Sequence, residues 1–311
     1  MPPGGETFRL STRFGENELR HGSHEWLPYS KDEVRLKSLN TNLPGKLSQA
    51  DKHIIYCQFK KLPEGGLRMQ IWGLTDAGCV RKQNQDAYHV QKLDRGAVLA
   101  VVCDGMGGAK SGNIASTLAV DVFSQEISRT YSAAMSQERV DLMLRSAVKL
   151  ANFTVYDQAQ QFEEFDGMGT TLVAVLLRGK RATVVHVGDS RAYGINEDGI
   201  HQLTKDHSLV QLMVDRGELT AEQAKSYPGK NFITRAIGTE STVQCDIGHY
   251  NVEKGDYLLL CSDGLSNMMD DQEILFEAVH GVDKRKCCQR LLDIAKNRGA
   301  PDNVTTVLIL V

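Results

Sequence analysis

No apolar run in this 311-residue chain reaches the roughly 18 residues that a membrane-spanning helix needs. The opening residues, Met-Pro-Pro-Gly-Gly-Glu, lack the basic and apolar regions of a signal peptide, so the expectation is a cytoplasmic protein. An excess of positive charge is missing as well: 36 Lys and Arg stand against 39 Asp and Glu, a formal net charge of -3. That balance argues against nucleic acid or an acidic lipid surface as partner, and Lys60-Lys61 and Lys284-Arg285-Lys286 read as solvated faces. The seven cysteines include no Cys-x-x-Cys pair, which removes the usual thiolate zinc spacing. An odd number in a chain this long indicates reduced thiols rather than a disulfide framework. Internal repeats and low-complexity tracts are absent too.

What is present is organised around Val98 to Gly108, Val-Leu-Ala-Val-Val-Cys-Asp-Gly-Met-Gly-Gly. Six apolar residues predict a buried strand that stops at a carboxylate followed by glycines. So lean a loop lets its backbone come close to a bound ion or phosphate. The design recurs at Ala182 to Ser190 and at Asp256 to Gly264, which places Asp104, Asp189 and Asp263 after apolar strands. Asp302, in Pro-Asp-Asn-Val-Thr-Thr-Val-Leu-Ile-Leu-Val, is expected at a strand end as well.

Along the chain, residues 1–52 are polar and weakly patterned, and by composition read as a disordered extension ahead of one domain, 53–311. Helical spacing predicts helices over about 111–130 and 137–162. Apolar strands over 172–177 and 182–187 predict a hairpin through Arg178-Gly-Lys180. The polar stretch 204–238, broken by Pro228-Gly229, reads as a helical flap inserted between strands. Further helices are expected over 271–280 and 284–298. Strands in adjacent hairpins and helices in pairs give an α+β layered fold rather than alternating βαβ units.

Four acids beside Gly, Ser or Asn supply the oxygen donors that hard divalent cations such as Mg2+ or Mn2+ take. Histidine is scarce in these turns, so zinc fits poorly.

The order of motifs resembles the metal-dependent protein phosphatase family, type 2C. The likeness runs from about Gly73 to Val311, through Asp76-x-Gly-x-x-Arg81-x-x-Asn-Gln-Asp86, Asp104-Gly-Met-Gly-Gly, Gly169-Thr-Thr, Gly188-Asp-Ser-Arg, Ser262-Asp-Gly and Asp302-Asn-Val-Thr. Asp-Gly-Met-Gly-Gly and the compact length point to the bacterial branch. This resemblance implies two stacked antiparallel sheets flanked by helix pairs, an αββα sandwich, and a site for two Mn2+ or Mg2+ ions. Hydrolysis of phosphoserine and phosphothreonine monoesters, by direct attack of a water bridging the ions, is the implied activity. Carried over by position, Asp104 and the Gly105 carbonyl would serve one ion, and Asp104, Asp263 and Asp302 the other. Asp189, with help from Asp263, would serve a third, weaker site. Arg81 would grip the substrate phosphate, and Asp86 would orient water from behind the metal ligands. Implied partners are phosphorylated Ser/Thr proteins and a cognate serine/threonine kinase pathway. Neither nucleic acid nor membrane is implied, and the chain is expected to act as a monomer.

Two positions depart from the family pattern. Gln85 stands where many relatives carry Glu, and Met106 stands where some eukaryotic relatives carry a His proposed as general acid. Met106 has no proton to give, which leaves water, or at a stretch His186 or His207, to protonate the leaving group. Gln85 also motivates an alternative reading, a regulatory pseudophosphatase that binds phosphoprotein without turnover. The acids themselves favour the enzyme.

Overall fold

Strand Val98–Met106 shows why its apolar residues run without interruption. Side chains alternate between the two faces of a strand, so a strand covered on both faces must be apolar at every position. Val98, Ala100 and Val102 point into one apolar cluster, and Leu99, Val101 and Cys103 into another. The computed structural model describes residues 53–58 and 69–311, Val282 excepted. The expected extension, residues 1–52, lies outside the described residues.

In chain order the strands are β1 (His53–Gln58), β2 (Gln70–Asp76), β3 (Asp86–Lys92) and β4 (Val98–Met106). Helices α1 (Gly108–Thr130) and α2 (Gln137–Gln161) follow. Next come β5 (Gly169–Thr170), β6 (Leu172–Arg178), β7 (Arg181–Val187), β8 (Arg191–Asn196) and β9 (Gly199–Gln202). The flap region holds α3 (Leu209–Asp215) and α4 (Ala221–Lys225). The chain continues through β10 (Asp246–Asn251), β11 (Tyr257–Cys261), α5 (Asp263–Ser266), α6 (Asp271–His280), α7 (Cys287–Asn297) and β12 (Val304–Leu310).

Two six-stranded sheets result, one ordered β1-β2-β12-β11-β8-β9, the other β10-β7-β6-β4-β3 with β5 added beside β4. Every pairing is antiparallel, including the predicted β6–β7 hairpin, in which Arg178 faces Arg181. Between the sheets lie Val98, Ala100, Val173, Val175, Leu258 and Ile309. Phe123 of α1 and Leu144 of α2 pack on the outer face of one sheet. Leu291 and Leu292 of α7 pack on the outer face of the other, against Trp72, Leu259 and Leu308. The α+β sandwich of two antiparallel sheets between helix layers is the architecture the sequence implied.

Three local expectations are corrected. Asp104 does not end its strand: β4 runs on to Met106, because Gly105 and Met106 pair with Thr170 and Gly169 of β5. Asp302 precedes β12 instead of following a strand, since that strand begins at Val304 opposite Asp76. The flap is less helical than its composition suggested. α3 has seven residues and α4 five, and the segment after α4 is turns around Pro228-Gly229.

Candidate active site

The acids come from both sheets and meet at one edge. On β3 and β4, Asp86 lies directly across from Asp104. Asp263 opens α5 just after β11, Asp302 enters β12, and Asp189 follows β7. Asp104 lies close enough to Asp86, Asp263, Asp189 and Asp302 to feel the charge of each. The guanidinium of Arg81 reaches the same place and donates from Nη2 to Asp302 Oδ2 at 2.8 Å. All six charged residues predicted for the site are therefore brought together.

Gly105 makes the close approach possible. A Cβ there would fall 2.0 Å from the carbonyl oxygen of Gly112, so only glycine lets the end of β4 lie against α1. Asp104 is pinned by the Thr-Thr pair of the neighbouring motif. Its N–H donates to Thr171 Oγ1 (2.9 Å), and its carbonyl accepts from the Thr171 N–H (2.9 Å) and from Thr170 Oγ1 (2.8 Å).

Asp86 is held by two hydroxyls whose direction can be assigned. The Thr305 N–H donates to Ser262 Oγ (3.0 Å), so the Ser262 proton is free to go to Asp86 Oδ2 at 2.7 Å. Asn84 Nδ2 donates to Thr75 Oγ1 (2.8 Å), the Thr75 proton passes to Thr305 Oγ1 (2.7 Å), and Thr305 donates to Asp86 Oδ2 (2.6 Å). Asn303, buried beside Asp302, ties the Arg81 loop down. Its Oδ1 accepts from the Gln85 N–H (2.8 Å), and its Nδ2 donates to the carbonyls of Ala77 and Gln83 (3.0 Å each). These holders were missed at the level of sequence, although Ser262, Asn303, Thr305 and the Thr170-Thr171 pair all belong to the quoted motifs.

The electrostatics are those of too many like charges. Asp104, Asp189 and Asp263 each keep part of their surface open, yet the protein around them disfavours ionisation. Burial, then the neighbouring carboxylates, pushes the Asp104 carboxyl well above the usual range. Burial above all pushes Asp189 up to about 8. It pushes Asp86 up to about 7 against the pull of its two hydroxyl donors. Asp263 is raised by burial and then by Asp302. Among the cations, Arg81 is held charged mainly by its bond to Asp302, and Lys230 of the flap region pulls the Asp263 pKa down. Lys230 is a contributor that sequence reading did not single out. Buried Oδ1 atoms of Asp86 and Asp263 have no hydrogen-bond partner. Unpaired carboxylate oxygens in a surplus of negative charge are the donor set that hard divalent ions fit, so these residues suit Mn2+ or Mg2+.

Gln85 is engaged elsewhere: its Nε2 donates to the carbonyl of Gly108 at 2.8 Å, and its amide fills the space that Gly112, lacking a Cβ, leaves. Met106 lies against Gly169. His186 and His207 form a group of their own with Asp246, and neither hydrogen-bonds to a carboxylate of the acid cluster. Burial lowers the pKa of both rings, which further disqualifies them as proton donors near neutrality.

A family model described as protein phosphatase 2C matches residues 80–306. A putative protein phosphatase 2C-type from Streptococcus pyogenes serotype M6 is 40% identical over 242 residues, which is 78% of this chain and 97% of that protein. Among solved structures, the serine/threonine phosphatase of S. agalactiae superposes with a TM-score of 0.74 at 36% identity, over 78% of this chain and 99% of that one. The catalytic domain of the serine/threonine protein phosphatase PstP, in complex with two manganese ions, superposes with a TM-score of 0.68 at 32% identity. It covers 78% of this chain and 97% of its own.

Proposed function

Because the chain belongs to the protein phosphatase 2C family, we propose that Asp104, Gly105, Asp263 and Asp302 hold its two divalent ions, with Asp189 at a third, weaker site. The enzyme is a metal-dependent serine/threonine protein phosphatase, a hydrolase that uses Mn2+ or Mg2+. When bound, the ions supply a nucleophilic water at neutral pH and neutralise charge on the phosphoryl group.

The chain's own residues do the rest. Asp104 and Gly105 offer ligands from one sheet, and Asp263 and Asp302 offer theirs from the other, so the sandwich itself sets their spacing. Asp86, fixed through Oδ2 by Ser262 and Thr305, keeps Oδ1 as a lone acceptor that orients water. Arg81 is about half exposed, and its planar fork suits two oxygens of a substrate phosphate. Leaving-group protonation falls to water, since Met106 has no proton to give and both histidines are occupied elsewhere. Gln85 gives no support to a non-catalytic reading, because its amide is used to hold the glycine loop.

Substrates on this reading are phosphoserine- and phosphothreonine-bearing proteins, written by a serine/threonine kinase in the same cytoplasmic compartment, and the enzyme acts as a monomer. Among the described residues no helix is long and apolar enough to cross a membrane. The observation that carries the site assignment is the convergence of acids from both sheets with unpaired buried oxygens. Purified protein should hydrolyse p-nitrophenyl phosphate and phosphopeptides only with Mn2+ or Mg2+, and chelation should abolish turnover. Turnover that survives chelation would remove the metal assignment.

A further inference from the structure

Both ends of the flap are hydrogen-bonded to acid-bearing segments. At one end the His207 N–H donates to the Gly188 carbonyl (3.0 Å), and the Gly188 N–H donates back to His207 Nδ1 (3.1 Å). The returning chain joins the same residue, where the Thr234 N–H donates to the His207 carbonyl at 2.7 Å. Further along, Ile237 and Thr170 exchange hydrogen bonds (2.8 and 3.0 Å), and Thr170 is one of the two threonines that pin Asp104.

His207 is thus the point where the outgoing flap, the returning flap and the turn before Asp189 are tied together. Its tautomer follows from its partners. A backbone N–H can only donate, so Nδ1 carries the lone pair and Nε2 carries the proton, which goes to Asp246 Oδ2 at 3.3 Å. Arg235, also on the returning chain, brings Nη1 to 3.2 Å from His207 Nε2, but a protonated Nε2 cannot accept, so Nη1 donates to Asp246 Oδ1 at 3.1 Å. His186 donates from Nε2 to the Lys205 carbonyl (2.8 Å) and stacks on His207 with ring centroids 4.6 Å apart and planes 19° apart.

His186, His207 and Asp246 bring three ligand atoms within 4.8 Å of one another, yet the arrangement is closed. Near-parallel rings send their in-plane lone pairs side by side rather than to one point, and the Arg235 guanidinium already balances Asp246. Arg191 adds a forked pair to Asp206 (2.7 Å), which fastens the start of the flap independently of His207.

We propose that His207 is a positioning residue that couples the flap to the Asp189 turn, so that the surface meeting a protein substrate and the acid cluster move as one unit. This rests on the phosphatase reading for what the coupling serves, but not for the coupling itself.

Two isosteres separate the bonds. His207→Asn keeps an acceptor where Nδ1 lies and loses the donor to Asp246. His207→Gln keeps a donor where Nε2 lies and leaves the Gly188 N–H without its acceptor. For His207→Gln we expect kcat/KM on a phosphopeptide to fall about tenfold, the worth of one buried hydrogen bond, with p-nitrophenyl phosphate changed less than about threefold. Calorimetry should show the weakest Mn2+ site loosened by a similar factor, and His207→Asn should stay within about threefold of wild type on every measure. Equal behaviour of the two variants, or no change in His207→Gln, would overturn the proposal. Should neither variant fold, amide hydrogen exchange on the unaltered protein decides. Gly188, His207 and Thr234 should exchange together and more slowly than residues 216–230, and exchange at the rate of those residues would overturn the coupling. A failure of the phosphatase reading would look different, as wild-type protein without Mn2+-dependent turnover but with the same exchange pattern.

Discussion

The cluster around Asp104 and the cluster around His207 are built from similar groups and settled in opposite ways. Both ring nitrogens of His207 have a hydrogen-bond partner, and charge is balanced within the group by Arg235 against Asp246. Around Asp104 five carboxylates share one hydrogen-bonded guanidinium, and buried oxygens of Asp86 and Asp263 go unpaired. A protein tolerates an unsatisfied buried group at a cost of about 1–3 kcal/mol each, so such groups persist where a ligand satisfies them. On the proposed reading, the satisfied cluster holds the fold and the unsatisfied one serves the chemistry.

The strongest way to break that contrast is to remove one acid from each cluster. Asp263→Asn or Asp302→Asn should reduce turnover by about a thousandfold or more at modest Mn2+, with the circular dichroism spectrum unchanged, because a ligand is lost while the packing is kept. Asp246→Asn should do the reverse, losing stability while keeping most turnover of a small aryl phosphate. Full activity in Asp263→Asn would end the assignment.

The clusters should also titrate in opposite directions. A carboxyl whose folded pKa is raised gives stability that is lost as pH climbs through that value. With Asp86 at about 7 and Asp189 at about 8, that loss begins above the ordinary carboxylate value of 3.8, so the metal-free protein should melt at falling temperature from there up to about pH 8 and level off beyond it. The lowered histidines act the other way, and stability falls as pH drops below their ordinary value of 6.5. Melting temperatures without metal should therefore fall less steeply below pH 6.5, where the histidines oppose the carboxyls, than between pH 6.5 and about pH 8. Added Mn2+ should reduce the carboxyl-driven fall and leave the histidine contribution below pH 6.5 in place, and if it removed both, the two clusters would not be separate.

How much of this could be read from the sequence depends on how local the cause was. The strand over Val98–Cys103 was legible because burial on both faces imposes a continuous apolar run. Acids beside Gly, Ser or Asn marked the site for a similar reason, since turn chemistry is written in adjacent residues. Asp104 inside a strand was not legible, because β5 extends β4 from far along the chain, Gly105 pairing with Thr170 and Met106 with Gly169. The hydroxyl cradle of Asp86 depends on Thr305, 219 positions distant, and the His207 bond to Asp246 spans 39. In the flap, composition suggested more helix than forms. The capping box of Thr220 and Gln223 starts α4, but Pro228-Gly229 lies just beyond its five residues.

Arg81→Ala sits between the clusters in expected effect. The bond to Asp302 is exposed enough to add little stability, so melting should barely move. KM for a phosphopeptide should rise about tenfold and kcat fall less, since binding common to ground and transition states is removed. An unchanged KM would reduce Arg81 to a surface partner of Asp302.

Gln85 carries the smallest and most diagnostic effect, because its side chain stands at the border of the unsatisfied cluster yet is itself satisfied. Nε2 donates to the Gly108 carbonyl, which steadies the glycine loop that presents Asp104 and Gly105. Gln85→Met keeps the shape and removes the donor, so half-saturating Mn2+ should rise about threefold, in keeping with one partly exposed hydrogen bond. Gln85→Glu loses the same donor and sets a carboxylate oxygen against a carbonyl oxygen, but it also adds a negative charge near the ions. Coulomb attraction, largely cancelled by desolvation, is expected to offset the lost bond and return the midpoint to near the wild-type value. Titrating turnover against Mn2+ for the three proteins separates the terms. If Glu matched Met, the added charge would go unfelt and Gln85 would act through the loop alone. If Glu fell well below wild type, the side chain would reach the ions, and the boundary between the two kinds of cluster would have to be redrawn to include it.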